Sequence, residues 1–417
     1  MAVNAAAAEP QTSPTPILDC LAPLPPPVKP GSQVKQGSPV KRGSGSARLV
    51  GWVISFARFI GQVIVALLFF GLVFSVLWVL SDWERLFPGW TSSKFLSAGL
   101  VIVLAKLATT VIHEGGHLLA GLCLGFRFSS MHIGRIQIDR PFRISRYRGP
   151  GGWFSGAVNL LPSKTGKLSL RALAMVFAGP AATLLSAYVM FLLPYSKGFT
   201  SKIFIFFLVL SGVLSLIPAR GRVSHSDGAR ILMLLQNRER GERWLALLKL
   251  IGEMAEGVPF ESLSPDFLAK AVAIQDNSPD TVAGHYFAYC AAWWQHKDAE
   301  AARLLETCLQ YSGYTTPMVR EGLICDASIF QARRRKRVDL AEQWLAVLPD
   351  STVMLGLHSR VDAGILEAKG DIEGALKKLD DAEMLTLTLP NEMQRKVSLE
   401  SLRRWKSELL AMEHKQA

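Results

Sequence analysis

The chain has 417 residues, a length that predicts two or three domains. Apolar residues make up 49% and charged residues 19%, with a mean hydropathy of +0.24, which excludes a wholly soluble or a wholly disordered protein. The formal charge of +12 would suit nucleic-acid binding, but the basic residues lie beside apolar runs, so we expect them to set membrane topology and expect no nucleic-acid partner.

The first 48 residues are rich in Pro, Ala, Ser and Gly. Such a segment buries too little apolar surface to offset the entropy lost on ordering, so residues 1–48 are predicted to be a disordered cytosolic tail. The five cysteines contain no CxxC pair and are odd in number, which argues against a disulfide scaffold and against a cysteine-rich zinc module.

Four apolar runs follow the tail, covering 59–80, 96–126, 170–193 and 203–217. About 20 apolar residues cross a bilayer as a helix, so the fold class is predicted to be mainly α: a polytopic membrane helical bundle of four spans within a domain over 49–236. The fourth run has 15 residues, which is short for a span, so we expect its helix to stop or unwind part-way through the bilayer.

Basic residues concentrate in the tail, between the second and third runs, and after the fourth run. Short loops rich in Lys and Arg stay in the cytosol, and all three segments fall on one side if there are four spans. We therefore expect a multi-pass integral membrane protein with both termini in the cytosol, and the cytosolic bulk favours a bacterial inner membrane.

Residues 237–417 are predicted to form a soluble α-helical domain. Three segments share the pattern Ala-x3-Leu at spacings of 40 and 34 residues: Ala301/Leu305, Ala341/Leu345 and Ala375/Leu379. The spacing is similar to the 34-residue period of tetratricopeptide repeats, so we expect a repeat-like array of helical hairpins that binds a protein partner. An ordinary α-helical domain with similar amphipathic helices is the alternative.

The second apolar run contains His113-Glu114-Gly-Gly-His117. Positions i and i+4 lie on one face of a helix, so the two imidazoles can share one zinc ion, and Glu114 beside them can hold the attacking water. Ionisable residues inside a span are costly and usually functional, and a metal offsets the cost of their desolvation. We expect Zn²⁺ as the cofactor, with His113 and His117 as ligands.

Catalytic zinc normally has three protein ligands and a water. The third ligand should follow the fourth span, which runs in the same direction as the second and ends at a similar depth. Two candidates lie there, Asp227 and His225.

A histidine motif in one span, followed by a second span that ends near Asp-Gly, resembles the site-2 protease family of intramembrane zinc metallopeptidases. The resemblance covers about 95–235 and implies that Asp227 is the third ligand. It also implies that Ser215, at the usual Asn of an Asn-x-x-Pro segment, helps to hold substrate. Thr183 stands where the family commonly has Asn in Ala-Gly-Pro-x-x-Asn, and residues 219–226 form an insertion before Asp227.

The basic loop contains a glycine-rich stretch over 151–158 that looks like the re-entrant β-hairpin of that family. The resemblance implies that Gly152, Trp153 and Phe154 of this stretch contact substrate.

The resemblance implies an intramembrane zinc metalloendopeptidase that acts within the lipid bilayer on a transmembrane segment of a membrane-tethered protein. Glu114 would activate a zinc-bound water as the nucleophile and pass its proton to the leaving amine. The alternative is a catalytically inactive, membrane-anchored scaffold that binds partners through its helical domain. The departures at Ser215 and Thr183 and the insertion keep this alternative open.

Overall fold

In the computed structural model of the chain, the described residues are 17–20, 92–140, 142–147, 152–163, 166–194, 198–219, 225–236, 238–348, 356–389 and 392–416. The expected first span, 59–80, lies outside them, as does most of the expected tail. The described helices are α1 Ile17–Cys20, α2 Ser92–Cys123, α3 Leu168–Leu192, α4 Phe199–Leu216, α5 Asp227–Gln236, α6 Arg238–Ala255, α7 Pro265–Val272, α8 Pro279–Trp294, α9 Asp298–Gln310, α10 Pro317–Arg333, α11 Val338–Ala346, α12 Leu357–Ala368, α13 Ile372–Leu387 and α14 Glu392–Gln416. The strands are β1 Phe126–Ile133, β2 Ile136–Asp139, β3 Arg143–Arg146 and β4 Gly156–Pro162.

Three described helices are long and apolar enough to cross a membrane: Leu96–Cys123 within α2, then α3 and α4. They correspond to three of the four expected spans and pack against one another. Large apolar side chains point away from the bundle, among them Leu96 and Leu185, which are 78% and 63% exposed. An outward apolar surface of this kind matches a lipid environment.

The helix of the fourth apolar run is longer than expected. It begins at Phe199, runs unbroken for 18 residues to Leu216, and ends where the backbone becomes extended at Ile217. Pro218 follows, and the residue before a proline is disfavoured in the helical region, which explains the position of the end. Of the two expected outcomes, unwinding is not observed, since the helix is continuous; the helix stops at Leu216 and the chain turns after it.

The basic loop between α2 and α3 forms a four-stranded antiparallel sheet with the order β3-β2-β1-β4. β1 and β2 form a hairpin whose turn contains Gly134 at a φ of 59°, and a Cβ there would lie 2.4 Å from the carbonyl oxygen of Trp153. The expected hairpin over 151–158 is thus corrected: the described residues 152–158 form a turn and the start of β4, and β4 pairs with β1.

The C-terminal part consists of consecutive helix pairs, α8 with α9, α10 with α11, and α12 with α13. Each Ala-x3-Leu segment lies in the second helix of a pair, where Ala301, Ala341 and Ala375 are completely buried. Small side chains at these positions let the paired helices approach closely. The structure therefore shows a helical C-terminal part in which consecutive helices pack in pairs.

The residues on the two sides of the expected domain boundary at 237 pack against each other. Trp244 of α6 lies in one apolar core with Phe126 of β1, Leu160 of β4 and Met175 of α3. The first helices of the C-terminal part thus pack against the sheet and against a membrane helix.

One turn of the expected disordered tail is ordered. Ile17–Cys20 form the helical turn α1, and Leu18, 1% exposed, joins the main core of the helical domain. The prediction of disorder therefore fails for these four residues.

Candidate metal centre

The two histidines of the motif lie one turn apart on α2. Their rings meet edge to face with centroids 4.9 Å apart, and the Nε2 atoms are 3.3 Å from each other. Six residues separate His117 from the end of α2 at Cys123, which is roughly 9 Å of helix at 1.5 Å per residue. The pair therefore lies inside the span, near the end from which the sheet begins.

A neighbouring helix fixes the tautomer of His117. Its Nδ1 lies 2.9 Å from the carbonyl oxygen of Met175 on α3. A carbonyl only accepts hydrogen bonds, so Nδ1 carries the proton and the neutral ring has its lone pair on Nε2. Gly179 of α3 lies next to the same ring, and a Cβ at this glycine would stand 2.2 Å from Nε2 of His117.

The turn after α4 places a carboxylate beside the two rings. Ser226 acts as the N-cap of α5, because its Oγ accepts a hydrogen bond from the backbone N–H of Ala229 and donates one to the carbonyl of Ile217. Asp227, the first residue of α5, has its Oδ2 3.0 Å from His113 Nε2 and its Oδ1 3.5 Å from His117 Nε2.

Three potential metal ligands therefore converge: His113, His117 and Asp227. Atoms bound tetrahedrally to one zinc at about 2.0–2.2 Å lie roughly 3.3–3.6 Å from one another. The observed separations of 3.0, 3.3 and 3.5 Å fit this donor set. Burial, the strongest single influence, raises the pKa of Asp227, but its interactions with His113 and His117 together outweigh burial, so the pKa lies below its usual value.

Glu114 lies beside this group on α2 and is 7% exposed. Its side chain packs against β4, since a Cβ at Gly156 would lie 2.7 Å from Glu114 Cγ, and its carboxylate interacts with the backbone N–H of Val158. The glycine thus leaves room for the carboxylate between the helix and the strand.

A cavity of about 630 Å³ opens at the three ligands and Glu114. The backbone of β4 over 156–161 forms one wall, and α5 and α6 contribute Asp227, Arg230 and Trp244. β4 is at the edge of the described sheet, with β1 on its other side. The site is therefore a cleft that has a strand edge beside its ligands.

The structure places the remaining predicted site residues differently. Ser215 lines the cavity, although its hydroxyl donates to the carbonyl of Gly212. Gly152, Trp153 and Phe154 form the turn before β4 and do not line the cavity; Trp153 is 69% exposed. His225, the rival ligand, lines the cavity but lies outside the three-residue group.

One contact of the site has no local sequence signal. Arg230, three residues after Asp227, is bonded to the buried carboxylate of Asp280 on α8 at 2.9 Å, and its guanidinium lies over the ring of Trp244. In the sequence, Arg230 is one of the basic residues that follow the fourth apolar run. The contact ties the helix that carries Asp227 to the helical domain.

No family model matches the chain, and no curated protein and no solved structure is similar to it.

Proposed function

We propose that the chain is an intramembrane zinc metalloendopeptidase similar to the site-2 protease family. The observation that carries this proposal is the convergence of Asp227 with His113 and His117, which lie beside Glu114 in a helix long and apolar enough to cross a membrane, at the wall of a cavity. When bound, zinc supplies a water whose pKa is lowered to about 7 and a Lewis acid for the scissile carbonyl.

The chain's own residues then have separate tasks. Met175 holds the His117 ring through Nδ1, so that Nε2 faces the ligand position. Ser226 holds the first turn of α5 and thereby Asp227. Glu114 accepts the proton of the attacking water at its carboxylate and delivers it to the leaving amine.

The proposed substrate is a transmembrane segment of a membrane-tethered protein. Such a helix keeps its carbonyls hydrogen-bonded within itself, so it must unwind before it can be cut. Residues 156–161 of β4 line the cavity next to Glu114 and β4 is an edge strand of the described sheet, and an extended segment can pair with an edge strand through main-chain hydrogen bonds. This wall, rather than Gly152, Trp153 and Phe154, is where we place the substrate.

We further propose that the helical pairs form a tetratricopeptide-like domain that binds a protein partner. The burial of Ala301, Ala341 and Ala375 at equivalent positions supports it. The membrane orientation, with the sheet and the helical domain in the cytosol of a bacterial cell, rests on the excess of basic residues around α2, α3 and α4.

The metal is tested by elemental analysis of the full chain purified in detergent without chelators. We expect about one zinc per chain in the wild type and less than about a tenth of that in His117→Ala and Asp227→Ala, because each variant removes one of three ligands. His358→Ala and Asp266→Ala, at exposed positions of the helical domain, are the matched controls. A wild type without zinc contradicts the proposal.

Catalysis is tested separately with Glu114→Gln, which preserves the size of the side chain and removes the base. The full chain is reconstituted in liposomes with a pool of labelled single-span peptides, and cleavage is followed by mass spectrometry. We expect cleavage by the wild type and a loss of at least about 100-fold in Glu114→Gln at unchanged zinc content. Bound zinc without cleavage of any peptide would favour the inactive scaffold.

A further inference from the structure

The helical domain holds the turn α1 in a groove between three of its helices. α1 belongs to the N-terminal tail, and its partners lie about 290 to 330 residues further along the chain: Glu306 on α9, Gln331 on α10 and Trp344 on α11. The contact is therefore tertiary throughout, and local sequence contributes little to it.

The groove binds the backbone of α1 at its first two residues, Ile17 and Leu18. The carboxylate of Glu306 accepts the N–H of Ile17 at 2.7 Å and the N–H of Leu18 at 2.8 Å. The carbonyl of Leu18 accepts hydrogen bonds from Gln331 Nε2 at 2.6 Å and from Trp344 Nε1 at 3.3 Å. A short turn leaves these main-chain groups without internal partners, and the groove supplies them.

Two side chains of α1 provide selectivity. Leu18 enters the apolar core of the domain and is 1% exposed, and Asp19 forms an ion pair with Arg335 in the loop after α10. Ile17 packs against the same core at its rim. The groove thus accepts an apolar residue, then Leu, then an acidic residue.

The polar groups of the groove argue against simple core packing. Gln331 is completely buried and Trp344 is 1% exposed, and both direct N–H groups at the same carbonyl. Buried donors cost free energy unless they are paired, so the groove is built to receive a peptide backbone. An apolar core would bury Leu18 without such donors.

We propose that this groove is a peptide-binding site for short apolar-Leu-acidic segments, that residues 17–20 occupy it as a built-in ligand, and that a protein partner binds by displacing them with a segment of the same chemistry. A ligand tethered to its own receptor has a high effective concentration, so it weakens the apparent affinity for any competitor. The proposal goes beyond the peptidase activity and does not depend on zinc.

The test uses the full chain in detergent and a synthetic peptide with the sequence of residues 14–22, carrying Cys20→Ser and an N-terminal fluorophore. Leu18→Asp in the chain empties the groove without altering it. By fluorescence anisotropy we expect Leu18→Asp to bind the peptide at least about tenfold more tightly than the wild type does. A peptide that itself carries Leu18→Asp should not bind.

A second substitution identifies the groove. In the Leu18→Asp chain, Glu306→Gln replaces an acceptor oxygen by an NH₂ group and should weaken binding at least about tenfold. Glu300→Gln, at an exposed position of the same helix, should leave it unchanged. Equal affinity of the wild type and a folded Leu18→Asp chain, or no effect of Glu306→Gln, overturns the proposal.

Hydrogen exchange of the wild type decides the matter even if Leu18→Asp fails to fold. Excess unlabelled peptide should speed exchange at the amides of residues 17–20 and leave the core of α10 protected. Unchanged exchange at saturating peptide would show that α1 is a fixed part of the domain, which overturns the proposal.

Discussion

The membrane part and the helical domain both bury ionisable side chains, but the two regions differ in how these side chains are paired. In the helical domain, Arg243 is completely buried and donates to Asp276, Ser278 and Thr281, so its charge is neutralised within the fold. At the end of α2, His113, His117 and Asp227 instead bring three possible metal-ligand atoms within 4.8 Å of one another. The first arrangement is complete as it stands, whereas the second is a donor set that could hold a cation.

The largest expected effect comes from the glycine that faces His117. Gly179→Ala places a Cβ 2.2 Å from Nε2, so the ring must move and zinc binding should be lost almost completely. Elemental analysis measures it. Gly115→Ala is the matched control, because a Cβ at that neighbouring motif glycine meets nothing within 4 Å. Retention of zinc in Gly179→Ala would show that the ring of His117 is not where the metal is held.

The next effect concerns the buried pair of the helical domain. Arg243→Ala leaves the charge of Asp276 without its main partner and should lower the free energy of unfolding by roughly 3–5 kcal/mol. Thermal unfolding followed by tryptophan fluorescence checks this. Arg337→Ala, which breaks an ion pair between side chains that are 55% and 57% exposed, should leave the free energy of unfolding almost unchanged, because water screens such a pair. Equal losses of unfolding free energy in Arg243→Ala and Arg337→Ala would show that burial does not decide how much these ion pairs stabilise the fold.

Acid should destabilise the fold through the same pair, Arg243 and Asp276. Burial raises the pKa of Asp276, but hydrogen bonds from Arg243, Ser278 and Thr281 outweigh it and hold the pKa at about 2, below the usual 3.8. A lowered folded pKa stabilises the fold above the unfolded pKa, so about 2 kcal/mol should be lost as the pH falls from about 4 to about 2.

Unfolding by urea across this pH range measures the loss. Asp276→Asn removes the titrating group and should have a flatter profile. A profile as steep as that of the wild type would assign the acid sensitivity to other carboxylates.

The smallest effect tests the link between the two regions. Asp280→Asn weakens the hold on Arg230, and the helix that carries Asp227 loses a support outside the ligand set. We expect zinc affinity to fall about tenfold, as for other residues that orient metal ligands. Competition with a zinc-sensitive dye measures this.

Asp362→Asn is the control, since Asp362 is paired with Lys378 within the helical domain. An unchanged zinc affinity in Asp280→Asn would show that the ion pair between Arg230 and Asp280 does not help to position Asp227.

The sequence predicted the parts of the structure that have a local signal. A long apolar run specifies a span, and the spacing of His113 and His117 places both rings on one helix face. The depth at which the fourth run ends limited the third ligand to two candidates, Asp227 and His225, without deciding between them. The Ala-x3-Leu segments predicted the paired helices, because a small residue recurs where two helices approach closely.

The parts that were missed depend on distant contacts. The basic loop was interpreted through its charges, although residues 126–133 alternate in burial and Gly134 marks the turn of a hairpin. The order of α1 arises from Glu306, Gln331 and Trp344, and four residues carry no periodicity. The bond between Arg230 and Asp280 joins helices that are 50 residues apart.

The strand edge beside Glu114 has a consequence for how substrates would be chosen. Main-chain pairing is insensitive to side-chain identity, so an enzyme that presents a strand edge selects the conformation of its substrate. A membrane segment with Gly or Pro near the cleft loses less helical stability when it opens than one composed of Leu and Ala. The rate of turnover would then follow the lifetime of the opened segment, and a consensus sequence around the cut bond would be weak or missing.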